Sequence, residues 1–273
     1  MNLLQETGGS RLYTFHSHTQ FCDGRAAMEA FVPAAVAAGF THYGFSPHSP
    51  VPIVSPCNMH RDNVDVYLAE VRRLQELWGD RIRLYASMEI DYLDESWGPS
   101  HEYFRNLPLD YRIGSVHFIP SDDGPVDIDG RFESFARKMK DHFHGDIRYV
   151  VETFYRQSVA MVEAGGFDMI GHFDKVGHNA SHYMPGVEDE PWYRKGVDDL
   201  IDCIVASGVT VELNTKAWKD HGRMFPGQRY MTRLLKAGVP IVVNSDAHVP
   251  ALINAGRAEG FAMLDKARAA MHD

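Results

Sequence analysis

Only three cysteines occur in the 273 residues, Cys22, Cys57 and Cys203, and no two of them share a CxxC spacing. An odd and scattered set reads as free thiols in a reducing compartment. Long apolar runs are missing too: none approaches the roughly 18 residues that a membrane-spanning helix needs. The opening stretch MNLLQETGGSRLYTF lacks the basic flank and apolar segment of a secretory signal. Basic residues number 27 against 37 acidic ones, for a formal net charge of −10. That balance argues against a general affinity for nucleic acid, and no basic tract offers a grip on an anionic membrane. The expectation is a cytoplasmic protein acting on a small molecule, with no signal for a particular oligomeric state.

What is present points to one globular unit. The hydrophobic share of 44% is ordinary for a globular protein, and a chain of this length buries a large core without staples. A closed α/β barrel commonly runs to about 250 residues as a single domain, and no repeat, low-complexity segment or linker divides residues 1–273. Strand-like runs are LYTFHSH (12–18), HYGFSPH (42–48), RLYASMEI (83–90), YRIGSVHFI (111–119), DMIGHFD (168–174), VTVELNT (209–215) and PIVVNSDAH (240–248). Amphipathic stretches such as VDVYLAEVRRLQELWG and GVDDLIDCIVASG lie between them, several closing on a glycine. Seven strands alternating with helices predict a parallel sheet with helical crossovers. Segments 49–63 and 216–229 read as longer loops over the C-terminal strand ends, where α/β barrels build their sites.

The strand ends carry an unusual set of residues. Alternation sends residues i and i+2 to one face, so His16 and His18 of FHSHTQFCDG aim at one target, with Asp23 close behind. The second strand ends at His48, the third at Glu89, the fourth at His117 and the fifth at His172, and SDAH presents Asp246 and His248 as another i, i+2 pair. Each has an ordinary alternative: Glu89 in a salt bridge, Asp23 capping a helix that starts near Arg25, Asp246 in a turn. Nine such residues gathered at one end of a sheet point instead to a metal cluster.

Nine side chains exceed the four ligands that one zinc takes. Three ions sharing a carboxylate fit them: His16, His18, Glu89 and Asp246 for a first, Glu89 bridging to His117 and His172 for a second, and Asp23, His48 and His248 for a third. Three carboxylates and three divalent ions leave a surplus of positive charge, which a phosphate monoester dianion and an attacking hydroxide would balance. Mixed imidazole and carboxylate ligation suits Zn, Mn or Fe. Glu89 and Asp246 are the carboxylates expected to matter most for catalysis.

These residues resemble the polymerase-and-histidinol-phosphatase (PHP) superfamily. The order FHSHTQFCDG, FSPH, SMEIDY, IGSVH, GHFD and SDAH follows the family's motifs along essentially the whole chain, with FSPH in place of the more familiar TDH. The resemblance implies a distorted (β/α)₇ barrel with a trinuclear metal site at the strand ends and phosphoesterase activity. Within the superfamily the chain looks most like the monofunctional histidinol-phosphate phosphatases, which implies hydrolysis of L-histidinol phosphate. In that subfamily the loop after ELNT often carries an Arg, where this chain has Lys219 and then Arg223. Lys219, Arg223 and Lys175, just after GHFD, are the candidate phosphate contacts, although lysine lacks arginine's bidentate fork. Trp218, Phe225, Tyr92 and Trp97 are candidates to wall the substrate or to pack at its rim. Two other hydrolases compete: a PHP enzyme for another small phosphate ester, and an amidohydrolase-like barrel, which normally adds a bridging lysine or carboxylate where this chain offers His117. A non-catalytic binding barrel is a further alternative, disfavoured by the complete ligand set.

Overall fold

The computed structural model describes residues 2–271. Among these are ten strands, β1 (Tyr13–Thr14), β2 (His42–Phe45), β3 (Arg83–Ala86), β4 (Glu89–Asp91), β5 (Ile113–Ser115), β6 (Phe118–Ser121), β7 (Gly124–Asp127), β8 (Met169–Ile170), β9 (Thr210–Asn214) and β10 (Ile241–Asn244). Strands β1, β2 and β3 form one parallel sheet; β10, β9, β8, β5 and β4, in that order, form a second. Parallel bridges link Ser17 to Ala247 and His48 to Glu89, so the sheets meet at the segments that carry the candidate ligands. The His18 N–H donates to the Ala247 carbonyl at 2.9 Å across the first of these junctions.

All seven expected strands are present and shorter than their apolar runs. Two of them break in a way the apolar pattern conceals. RLYASMEI divides at Ser87 and Met88 into β3, which pairs with β2, and β4, which pairs with β5, so one run serves both sheets. The Tyr67 hydroxyl fills the break by donating to the Ser87 carbonyl at 2.6 Å. YRIGSVHFI ends as β5 at Ser115, and its tail becomes β6, which turns back antiparallel as β7 through Asp122 and Asp123. Two prolines facing one another in that hairpin, Pro120 and Pro125, hide it from a search for alternating strands, because proline removes a ladder donor.

The helices follow from periodicity and punctuation. Val64–Trp78 buries Val64, Tyr67, Leu68, Val71 and Leu74, the i, i+3, i+4, i+7 stripe of a helix lying on a sheet. Ile147–Ala164 starts where Asp146 accepts the Tyr149 N–H, and Pro191–Ser207 opens on its proline and closes at Gly208 in a left-handed turn. These two helices approach closely at Gly196, where a Cβ would lie 2.9 Å from the Tyr155 ring. An aromatic layer supports the first ligand segment: Phe15 lies 5.2 Å from Tyr13, 5.7 Å from Tyr85 and 5.6 Å from Tyr111, centroid to centroid. Among the described residues, no helix is long and apolar enough to cross a membrane.

Candidate metal centre

All nine expected ligand residues converge on the C-terminal ends of the strands. The donor atoms of His16, His18 and Glu89 lie within 4.8 Å of one another, as do those of His48, Glu89 and His117, and those of His18, Asp23, His48 and His248. Most of these positions lie just past the last paired residue of a strand. Asp246 has a φ of 49°, a left-handed conformation that aspartate tolerates better than most residues. Asp23 does not cap a helix: the next one, Met28–Ala37, has Ala27 at its N-cap.

Glu89, only 1% exposed, sits at the centre. Its Oε2 is 3.3 Å from His16 Nε2, 3.4 Å from His18 Nε2 and 3.1 Å from His48 Nδ1. Its Oε1 is 2.8 Å from His172 Nε2 and 3.5 Å from His117 Nε2, and accepts the Ser115 hydroxyl at 2.8 Å. Asp246 Oδ1 lies 3.1 Å from His18 Nε2 and 3.8 Å from His16 Nε2, and Asp23 Oδ2 lies 3.2 Å from His248 Nε2.

The outward-facing nitrogens of several imidazoles are held in place. His16 Nδ1 donates to Glu212 Oε1 at 2.6 Å, His117 Nδ1 to Asp91 Oδ1 at 2.6 Å, and His248 Nδ1 to the Asp246 carbonyl at 3.0 Å. A carboxylate or carbonyl only accepts, so each Nδ1 carries a hydrogen and each Nε2 is the nitrogen left facing the cluster. Glu212 and Asp91 are additions to the sequence reading. Both were legible by the rule that exposed the HxH pair, since Asp91 follows Glu89 at i+2 and Glu212 shares a face with Asn214.

The donor set fits divalent metal. Asp23 Oδ1, His48 Nδ1 and His117 Nε2 are buried without a hydrogen bond among the described residues, an arrangement that is costly unless something else engages those atoms. Burial would raise the Glu89 carboxyl, but His16, His48 and His117 hold it well below the usual carboxylate range. Burial would likewise lower His16 and His117. Glu212, Asp246 and Glu89 lift His16 well above its ordinary value, and Asp91 and Glu89 lift His117 to about 10. Without metal, those two imidazoles keep protons against the carboxylates; divalent ions held by the same residues would supply that positive charge in the protons' place.

Above the cluster opens a cavity of about 350 Å³, lined by His18, Asp23, His48, Glu89, His117 and Asp246 at its base. Asp129, Lys175, His178 and Asn179 line one side of it, and Lys216, Asp220, His221 and Phe225 are also in its wall. Of the cations expected at phosphate, Lys175 lines this cavity, with its Nζ paired to Asp129. Lys219 and Arg223 are not in its wall. Lys219 is exposed on the short helix Trp218–His221, and the Arg223 guanidinium is spent on Glu188 at 2.7 Å. The lysine that does reach the donor cluster is Lys216, immediately after ELNT. Its Nζ is 3.4 Å from both Asp246 carboxylate oxygens and 3.2 Å from His248 Nε2. Of the four candidate aromatics, only Phe225 faces the cavity; Trp97, for example, packs on Tyr103 and Phe104.

Comparison with known proteins agrees with this geometry. The PHP domain family matches residues 14–216. A Deinococcus radiodurans protein described as a probable histidinol-phosphatase is 27% identical over 251 residues, spanning 86% of this chain and 85% of its own. A Schizosaccharomyces pombe protein of the same description is 27% identical over 256 residues, spanning 86% and 80%. Among solved structures, histidinol phosphate phosphatase of Lactococcus lactis, crystallised with zinc, L-histidinol and phosphate, superposes with a TM-score of 0.73 at 18% identity, covering 94% of each chain. A Listeria monocytogenes protein provisionally assigned as a histidinol phosphatase gives 0.79 at 17% identity, covering 90% of this chain and 99% of its own. With parallel α/β architecture, the ordered ligand motifs and the family match over most of its length, this chain belongs to the PHP domain family.

Proposed function

We propose that this protein is a metal-dependent phosphomonoesterase that hydrolyses L-histidinol phosphate to L-histidinol and phosphate. The observation that carries the reading is the gathering of nine candidate donor residues, six of them at the base of a cavity whose wall also holds Lys175 and Lys216. The names of the two 27%-identical relatives support the substrate. In this reading residues 1–273 are a single domain, and the two sheets act as one distorted (β/α)₇ barrel, joined through the Ser17–Ala247 and His48–Glu89 bridges.

His16, His18, Glu89 and Asp246 would hold one divalent ion, Glu89 with His117 and His172 a second, and Asp23, His48 and His248 a third, of Zn, Mn or Fe. Such ions, when bound, make water acidic enough to supply a nucleophile near neutral pH and offset phosphate charge. The chain's own contribution is placement. Glu89 and Asp246 concentrate negative charge where cations must sit, and the buried base keeps bulk water from screening them. Lys175 and Lys216 are the phosphate contacts the geometry favours. Lys216, with 41% of its side chain exposed, has room to turn from Asp246 toward a phosphate oxygen. Lys219 and Arg223 are left outside the cavity wall.

The test is kcat/KM for phosphate release from histidinol phosphate beside a nucleotide, a sugar phosphate and phosphotyrosine. Preference for histidinol phosphate supports the assignment. A clear preference for another ester would retain the phosphoesterase and replace its substrate.

A further inference from the structure

We infer that Glu212 is a positioning residue that fixes the metal ligands of three strands at once, and that only an ionised carboxylate can fill its place. The inference rests on the metal-centre reading above but not on the identity of the substrate.

Glu212 lies in the middle of β9, fully buried. Its Oε1 accepts from His16 Nδ1 at 2.6 Å and from Asn244 Nδ2 at 3.1 Å. Its Oε2 accepts from the His172 backbone N–H at 3.0 Å and from Asn214 Nδ2 at 3.1 Å. Four donors converge on two oxygens, which fills the acceptor capacity of a carboxylate. The second Asn214 amide hydrogen goes to Asp246 Oδ2 at 3.1 Å. One side chain therefore sets the ring of His16, the backbone from which His172 projects and, through Asn214, the carboxylate of Asp246.

The arrangement has no place for a donor. A glutamine at this position has one oxygen and one NH₂. Whichever way it is flipped, two of the four N–H donors would face an amide nitrogen without an acceptor. The negative charge is also part of the design. With four donors on its two oxygens, His16 Nδ1 the nearest at 2.6 Å, the carboxyl has no free oxygen position on which to carry a proton. Glu212 thus keeps His16 in the tautomer whose Nε2 faces Glu89 and Asp246, without itself reaching the ions.

The experiment is metal retention by Glu212→Gln, measured as bound ion per chain against rising chelator concentration, with thermal unfolding of the metal-free protein recorded in parallel. Asn244→Ala is the control. It removes one donor to the same oxygen and leaves the charge and the His16 contact in place. Outer partners of metal-bound histidines typically account for about 10–100-fold in affinity, so Glu212→Gln is expected to lose ions at roughly 10–100-fold lower chelator. Asn244→Ala should stay within about threefold of wild type even where its melting point falls. Imidazole nitrogen NMR should show the His16 tautomer mixed in Glu212→Gln and single in Asn244→Ala. If Glu212→Gln does not fold, Asn214→Ala carries the test, because it frees Asp246 while sparing the carboxylate; retention weakened severalfold is expected. Wild-type retention in Glu212→Gln, or equal losses in Glu212→Gln and Asn244→Ala, overturns the inference, as does wild-type retention in Asn214→Ala should that variant be needed. Weakened retention in a protein that proves inactive on phosphate esters would leave it standing while the phosphatase reading fell.

Discussion

A single buried carboxylate decides much of this site. Glu89, the candidate bridging ligand, turns one oxygen to His16, His18 and His48 and the other to His117 and His172. Glu89→Gln is expected to release the ions on both sides and to cut turnover by more than the roughly 100-fold typical of an outer partner. Assay of turnover and bound metal on the same sample checks it; wild-type values for both would remove Glu89 from the bridge. The phosphate cations make a second residue-scale prediction. Lys216→Ala should weaken competitive inhibition by inorganic phosphate about tenfold or more, as expected for a charge-assisted contact of roughly 1.5–3 kcal/mol. Arg223→Ala should leave that inhibition unchanged and instead lower stability, since it takes from the part-buried Glu188 carboxylate its nearer cation, leaving Arg229 at 3.5 Å and the Ser181 hydroxyl. The nine candidate ligands were legible in the sequence because their types and i, i+2 spacing are chemically demanding. The cations were not. Lysine and arginine are common on loops, and nothing in ELNTKAWKDHGR says that the turn at Trp218–His221 carries Lys219 outward while Lys216 stays over Asp246.

At the scale of elements, the loops over the strand ends are fastened by buried polar groups. Asp174, in GHFD, accepts the Gly227 N–H at 2.8 Å and so ties the end of β8 to the loop after β9. Burial raises its carboxyl from the ordinary carboxylate range to about 7, even though Arg223 opposes the shift. A folded-state value above the unfolded one means that stability is full below about pH 4 for this group. It is lost as pH rises toward 7, because the unfolded chain sheds the proton first. Asp174→Asn keeps an acceptor for Gly227 and has no charge to lose. In the metal-free protein, the variant's unfolding free energy from urea titration should therefore gain on wild type between pH 4 and 8, by an amount on the order of a few kcal/mol at the upper end. A difference that is flat with pH would refute the role. The sequence identified the parallel strands because each is an apolar run bounded by turn residues. It did not disclose the β6–β7 hairpin, whose prolines break the alternation, or the division of the third run. That division is made by which neighbours β3 and β4 find, a tertiary choice outside the local pattern.

For the whole molecule, the candidate metal centre is also a structural joint, because its donors follow strands of both sheets, His48 and Glu89 form one bridge between them and His16, His18, Asp246 and His248 flank the other. Ions that bind only the folded state stabilise it by mass action, by about 2.7 kcal/mol at one hundred times the dissociation constant. Stripping them should lower the melting temperature by about 5–10 °C in a chain of this size, and re-addition should restore it. An unchanged melting curve would mean that the cluster holds no ion in solution. At this scale the acidic balance, the missing basic tracts and the lack of long apolar runs narrowed the expectation toward a small-molecule substrate before any motif was read.

The most direct measurement is phosphate release from histidinol phosphate by chelator-stripped protein, before and after Zn, Mn or Fe is restored, with bound metal quantified in each sample. The account predicts no turnover in the stripped protein and recovery in step with occupancy, saturating near three ions per chain. Turnover that survives full stripping, or none at full occupancy, would contradict it.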